Sequence, residues 1–362
     1  MSSKEMKAKV AVLTGGGCAP GLDPFLEAFA RKMNHEKYQV IGIEAGWRGL
    51  LRTPPETILL EGDKIEGLTR SGSTSIGTSR TNPYQADIEN GEATVLKNLK
   101  ELGVTGLVSF GGDDTLTVAN KISQAGANVI GIPKTMDLDL SGTDYSVGFW
   151  SYNEAVYDHA IPGFIDTLKS HQRCGVIELF GRHSGFTVVV AGIAGGACYI
   201  AIPEMELDLQ QLADRVTEFY SKHKWALVIV GEAIEIKASD EKKEGDKKKD
   251  KTHDTFGNVF FFKKQTGSKI AKEIEKLTGI ESRSFQATHP FRGDPSAFDA
   301  FYGFRMGVKA AEMVAGNQWG RMVSVRGDKI TDTSLKDYKP RRMITPGTFW
   351  YDLVKQRNEG II

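Results

Sequence analysis

Short unbroken apolar runs alternate along the chain with longer stretches of helical periodicity. KVAVLT (9–14), YQVIGIEA (38–45), TGLVSFGG (105–112), NVIGIP (128–133), CGVIELFG (174–181), CYIAIPE (198–204), WALVIVGE (225–232), RSFQATH (283–289) and RMVSVRG (321–327) read as nine strands. Continuous rather than alternating hydrophobicity predicts parallel strands covered on both faces. Helical patterns lie between many of them, notably over 91–102, 114–125, 149–168, 207–222, 266–279 and 296–315. This βαβ rhythm predicts an α/β fold of doubly wound, Rossmann-like parallel sheets. Nine strands over 362 residues suit two such sheets. One segment breaks the rhythm: KASDEKKEGDKKKDKTHD (237–254) is nearly devoid of apolar residues and reads as a charged, solvated loop insertion.

Composition narrows the class. Hydrophobic content of 40% and charged content of 25% are ordinary for a globular protein. Lys plus Arg and Asp plus Glu both total 46, so bulk charge draws the chain to neither nucleic acid nor membrane. No apolar run reaches transmembrane length, and the N-terminal stretch lacks a signal-peptide core and reads as a strand entering a loop. Cys18, Cys174 and Cys198 are too few and too scattered for a disulfide framework or a zinc site. The expectation is a cytoplasmic protein with no nucleic-acid or membrane partner.

Polar clusters gather at strand ends, where open parallel sheets bind ligands. TGGGCAPGLD (14–23) is a glycine loop between a strand and a helix, suited to phosphate or simply to a tight turn. It is not a P-loop, and it fails the dinucleotide fingerprint because Pro20 takes the third glycine position. FGGDDTL (110–116) puts Asp113 and Asp114 at a helix start, where they serve the helix dipole or bind a cation. Beside Asp137 and Asp139 of PKTMDLD (133–139), they make an oxygen-rich set suited to Mg²⁺. SGSTSIGTSRTNP (71–83) offers hydroxyls and Arg80 to an anion, or is a plain surface loop. KSHQR, FGRHSG, SRS and THPFRGD place Arg173, Arg182, Arg283 and Arg292 at strand boundaries. Singly each reads as a surface salt bridge; together they read as an anion pocket. The seven histidines show no metal spacing, and His183 and His289 read as hydrogen-bonding residues.

In order and spacing, LTGGGCAPGLD, GTSRTNP, GGDDTL, PKTMDLDLSGTDYSVGF, SHQR, FGRHSG, IAGGA, GE and THPFRGDPSAFDAFYGFRMG resemble the phosphofructokinases over roughly residues 8–330. The resemblance implies two Rossmann-like domains with the active site in the cleft between them. Residues 1–148 plus about 291–340 would form the phosphate-donor domain, and 149–290 plus about 341–362 the sugar-phosphate domain. ATP-dependent members carry glycine in place of Asp114 and of Lys134; members with Asp and Lys at these positions use pyrophosphate. The physics agrees: a carboxylate at 114 repels a nucleotide's α-phosphate, and a lysine at 134 supplies charge to pyrophosphate and to the transition state.

The implied reaction is reversible phosphoryl transfer from pyrophosphate to the C1 hydroxyl of fructose 6-phosphate. Carried over residue by residue, Asp137 is the base, with Lys134 and Asp114 completing the catalytic set. Asp113 and Asp139 hold Mg²⁺, and Gly16, Gly17, Arg80, Asp114, Thr115 and Lys134 face the donor. Thr135, Met136, Asp137, Phe180, Gly181, Arg182, Glu232, His289 and Arg292 face fructose 6-phosphate. Arg173 and Arg283 reach the 6-phosphate of a neighbouring subunit's substrate, which implies a homodimer or homotetramer. The sequence departs from the family pattern at Cys18, where aspartate is usual, at Leu138, where asparagine is usual, at Met136, and in THPFRGD. Glu27 and Ile165 stand where bacterial ATP enzymes carry effector-site arginines, so regulation of that kind is not expected. The alternatives are an ATP-dependent enzyme, a kinase of another sugar phosphate such as sedoheptulose 7-phosphate, and a non-catalytic sugar-phosphate-binding protein.

Overall fold

A computed structural model describes residues 8–236, 265–339 and 341–362, without the His289 side chain. The charged segment 237–254 lies outside the described residues. The strands are β1 (Ala8–Thr14), β2 (Tyr38–Ile43), β3 (Thr57–Leu59), β4 (Val104–Gly111), β5 (Val129–Pro133), β6 (Cys174–Leu179), β7 (Tyr199–Ala201), β8 (Ala226–Gly231), β9 (Ser282–Ala287), β10 (Arg321–Arg326) and β11 (Lys329–Ser334). All nine apolar runs form strands. β3 and β11 were not expected. Both are antiparallel edge strands, no residue of either is fully buried, and neither carries a continuous apolar run.

The chain divides into two units. One runs through Tyr152 and takes in Arg292–Arg341; the other comprises Asn153–Phe291 and Arg342–Ile362. The first holds a seven-stranded sheet of order β11-β10-β5-β4-β1-β2-β3, parallel except for its two edge pairs. The second holds an all-parallel sheet of order β7-β8-β6-β9. In the first sheet the winding direction reverses between β1 and β4, the topological switch point at which such folds bind ligands.

Burial explains the continuous runs: every residue of β5, β6 and β8 is buried. In the first unit, Phe25 and Phe29 of the helix Leu22–His35 stack, and Phe25 meets Phe110 of β4. Each of these rings is fully buried, a contribution of roughly 1.5–3 kcal/mol apiece. The same helix lies close against Ala297–Ala315, because a Cβ on Gly307 would sit 2.6 Å from the Phe25 carbonyl oxygen. The helix expected over 149–168 is interrupted: Phe149–Ala155 and Ile161–His171 flank a π-turn at Val156–Ala160. Pro162 has no N–H to give to the residue four positions earlier, so the regular ladder cannot continue there.

One buried carboxylate locks the first unit together. Asp299 is fully buried near the start of Ala297–Ala315. It accepts from Gly148 N at 2.7 Å, Ser151 N at 2.6 Å, Ser151 Oγ at 2.5 Å and the Tyr145 hydroxyl. Burial, opposed by the Gly148 and Ser151 amides, brings its pKa up to about 7. Asp299→Ala would strand two amides and two hydroxyls without their acceptor. The expected loss is roughly 2–5 kcal/mol of stability, measured by urea unfolding, with Asp299→Asn losing less.

Candidate active site

In the first unit the residues singled out in the sequence converge at the carboxyl ends of β1, β4 and β5. The turn after β1 is tied down from both sides: Gly15 N donates to Phe110 O and Gly16 N to Ser79 O, each at 2.9 Å. Gly16 has φ +86°, a left-handed conformation that favours glycine. Absent side chains let cations approach the loop. A Cβ on Gly16 would lie 3.3 Å from Lys134 Nζ, and one on Gly17 would lie 3.0 Å from Arg292 Nη1 and 3.6 Å from Arg80 Nη2.

Lys134 is 4% exposed, and its Nζ donates to Gly17 O at 2.6 Å. Burial foremost, with Arg292 and Arg80, brings its pKa down to about 7, against an upward pull from Cys18 and Asp137. Arg292 donates to Cys18 O through Nη1. Burial lowers its pKa too, against an upward pull led by Asp137. Arg80, Lys134 and Arg292 thus surround the glycine loop, with Asp137 within electrostatic reach of Lys134 and Arg292. Arg292, which the resemblance groups with the sugar-phosphate residues, lies against the glycine loop. The Cys18 thiol is pushed up by burial and held back by Lys134 and Arg292.

The acids form a second group. Asp113 and Asp114 open the helix Asp113–Gln124, whose N-terminal dipole favours negative charge. Tyr338, which the sequence did not single out, donates its hydroxyl to Asp113 Oδ1 at 2.6 Å. Burial, then the charge and hydrogen bond of Asp113, then the charges of Asp139 and Asp114, drive the Tyr338 phenol far above its usual range. The charges of three carboxylates therefore act on one hydroxyl, which Asp113 meets in a hydrogen bond. Thr115 is 1% exposed. It fills the space that side chains on Gly15 and Gly111 would need, which sets the spacing of the β1 and β4 loops. The Thr135 hydroxyl accepts from Asp137 N at 3.1 Å, and Met136 is buried. Among the described residues no group of three or more His, Cys, Asp or Glu is arranged to hold a metal by itself.

In the second unit the remaining residues separate into two places. Phe180, Gly181 and Arg182 follow β6, and Glu232 follows β8, at the carboxyl end of the sheet. Glu232 N donates to Leu179 O at 3.1 Å. A Cβ on Gly181 would lie 2.4 Å from Ser184 O. His289 begins the 3₁₀ turn His289–Arg292; its side chain lies outside the described residues. Arg173 and Arg283 stand at the opposite, amino end: Arg173 directly precedes β6, and Arg283 pairs with Gly175. Both bind Glu281, Arg173 through Nε at 2.7 Å and Arg283 through Nη2. A six-residue strand separates the two ends by about 20 Å.

No helix among the described residues is long and apolar enough to cross a membrane. Residues 9–314 match the family model described as Phosphofructokinase. The chain is 36% identical to the pyrophosphate–fructose 6-phosphate 1-phosphotransferase of Dictyoglomus thermophilum over 91% of this chain and 92% of that one. It is 32% identical to the ATP-dependent 6-phosphofructokinase 3 of Bacteroides thetaiotaomicron over 98% and 99%. Among solved structures, the pyrophosphate-dependent phosphofructokinase of Marinobacter aquaeolei superposes with a TM-score of 0.77 at 18% identity, over 97% of this chain and 91% of that one. With a family match over most of its length and relatives this similar end to end, the chain belongs to the phosphofructokinase family.

Proposed function

We infer that this chain catalyses reversible phosphoryl transfer from pyrophosphate to the C1 hydroxyl of fructose 6-phosphate, giving fructose 1,6-bisphosphate and phosphate. The observation that carries the donor assignment is Lys134, a buried cation tied to the Gly17 carbonyl with Arg80 and Arg292 beside it. Such a compact positive cradle suits a small, highly charged anion. Asp114, on the first turn of the neighbouring helix, disfavours the α-phosphate of a nucleotide. In this reading residues through Tyr152 with Arg292–Arg341 hold the donor, and the other unit holds the sugar phosphate.

In-line phosphoryl transfer needs positioning and charge neutralisation more than covalent chemistry. Asp137 takes the proton of the C1 hydroxyl as that oxygen bonds to phosphorus and the bond to the departing phosphate breaks. The Thr135 hydroxyl holds the Asp137 amide and so sets the base's place. Lys134, Arg292 and Arg80 meet the charge that develops on the oxygens. The carboxylates whose charges act on Tyr338 fit a hard divalent cation. Asp113 and Asp139 would hold Mg²⁺ together with pyrophosphate oxygens, and the ion would neutralise phosphate charge. Such a site needs the substrate to complete it, in keeping with a protein that offers no complete metal cage among its described residues.

The shared-site reading rests on the two ends of the second sheet. Arg182 and Glu232 lie at one end and Arg173 and Arg283 at the other. A spacing of about 20 Å exceeds the length of a hexose phosphate. One substrate molecule therefore meets both sets only if they come from different subunits, which makes the enzyme a homo-oligomer.

A donor panel tests the assignment. With Mg²⁺ and fructose 6-phosphate, pyrophosphate should support bisphosphate formation at a rate at least about tenfold above ATP, a margin equal to about 1.4 kcal/mol in the barrier. Equal rates with both donors overturn it.

Lys134 should also set a pH limb. It is charged below its pKa of about 7, so kcat/KM for pyrophosphate should fall as pH rises through that value. Bound pyrophosphate stabilises the ammonium, so the matching limb in kcat should lie at higher pH. Lys134→Met, assayed at matched magnesium pyrophosphate, should show neither limb.

Subunit mixing tests the shared site. Arg173→Ala should mainly raise the KM for fructose 6-phosphate, and Asp137→Asn should lower kcat by roughly 10²–10⁴. Hybrids verified by mass spectrometry should exceed the summed activity of the two parents. Hybrids that recover nothing show that the site forms within one chain.

A further inference from the structure

We propose that Tyr338 is a positioning residue for the metal-holding acids: its hydroxyl fixes the Asp113 carboxylate, and the segment around it braces the β4 and β5 loops against each other. The inference rests on the reading above that Asp113 holds the divalent cation.

The segment is anchored before it reaches the acids. Leu335 is fully buried, its amide donates to Gly320 O at 2.9 Å, and its side chain packs over Gly131 of β5. From this anchor a single 3₁₀ turn, Leu335–Asp337, delivers Tyr338, whose own amide donates to Leu335 O at 3.3 Å. The Tyr338 hydroxyl then reaches Asp113 Oδ1 on the β4 side at 2.6 Å. The next amide, Lys339 N, donates to Ser141 Oγ at 2.8 Å, just beyond Asp139 on the β5 side. Two consecutive residues thus grip the two loops that carry the acids.

The chemistry favours a phenol in this place. Asp113, Asp114 and Asp139 all act on the Tyr338 hydroxyl. A lysine or arginine there would neutralise the carboxylates and compete with a divalent cation. A neutral hydroxyl orients Asp113 by one oxygen and adds no charge. Outer groups that orient metal-holding side chains govern affinity strongly, and losing one costs about 10–100-fold.

Tyr338→Phe removes only the hydroxyl. Mn²⁺ would replace Mg²⁺, with imidodiphosphate as the pyrophosphate mimic, and free Mn²⁺ would be read by electron paramagnetic resonance on the full-length chain. The Mn²⁺ Kd should rise roughly tenfold, the lower end of the range for such groups. The KM for fructose 6-phosphate should stay within about twofold, well below that tenfold effect. Asp113→Asn runs in parallel, and the double variant should bind Mn²⁺ no more weakly than Asp113→Asn alone, since the phenol acts through that carboxylate. If Asp113→Asn leaves Mn²⁺ affinity unchanged, the assignment of the metal to Asp113 fails. If Asp113→Asn weakens Mn²⁺ binding and Tyr338→Phe does not, the positioning role is overturned and Tyr338 serves packing only. The role is equally overturned if Tyr338→Phe weakens Mn²⁺ and fructose 6-phosphate to the same degree.

Discussion

The rest of the glycine-loop cluster depends on a buried ammonium held against a loop with no side chains to exclude it. Lys134 is almost wholly removed from water, and an ammonium so placed is costly unless hydrogen-bonded and compensated. The Gly17 carbonyl supplies the bond and Asp137 part of the compensation. Arg292 adds a second cation to the same loop through the Cys18 carbonyl. Mutual repulsion among these cations is relieved when a polyanion arrives, so the free protein carries in its structure a demand for its substrate. The architecture around Lys134 serves to hold it there. Its amide donates to Gly111 O at 3.0 Å, and it bridges to Val147. The residues just after Val147 are locked by Asp299. A continuous path of backbone and hydrogen bonds runs from the buried helix Ala297–Ala315 to Lys134.

The departures from the family pattern have local physical consequences. Leu138, where asparagine is usual, has φ +55°. Asparagine tolerates the left-handed region, whereas leucine pays roughly 1–2 kcal/mol there. The side chain is buried, so apolar burial offsets the backbone strain in the turn between Asp137 and Asp139. Glu27 is likewise reassigned. Its carboxylate accepts from Thr69 N at 2.8 Å and from the Thr69 hydroxyl at 2.7 Å. Asp23, one turn earlier on the same helix, accepts from Ser75 N at 2.7 Å. Where an effector-binding arginine is expected in bacterial ATP enzymes, this chain has a strut for the loop that leads to Arg80.

What could be read in the sequence followed from how each feature is encoded. Buried parallel strands leave unbroken apolar runs, so β1, β4, β5, β6 and β8 were plain. KITDTS, which becomes β11, presents one aliphatic residue in six positions, and its pairing with β10 depends on a neighbour rather than on its own pattern. The glycine loop and the strand-end acids each carry a compact local pattern, so the residues that converge at the carboxyl ends of β1, β4 and β5 were legible before the fold. Tyr338 was not: a lone tyrosine more than two hundred residues from Asp113 carries no local signal. Arg292 follows THPF in sequence but belongs to the first unit, so its contact with the glycine loop could not be read from its neighbours.

Under the shared-site proposal, the two arginines at the amino end of the second sheet would be an anion site kept ready in a subunit that does not itself complete it. Arg173 directly precedes β6 and Arg283 lies on the neighbouring β9, and left alone the two cations would repel and spread into solvent. Glu281 holds both, and their charges keep its carboxyl below the usual range, chiefly through the Arg173 hydrogen bond. The carboxylate thereby holds the two guanidinium groups near each other. Exposed ion pairs of this kind are weak, and a dianionic phosphate offers stronger charge-assisted bonds to the same guanidinium groups. Glu281 can therefore orient the pair without holding it against the substrate, so the entropy of ordering two long side chains is already spent before the sugar phosphate binds.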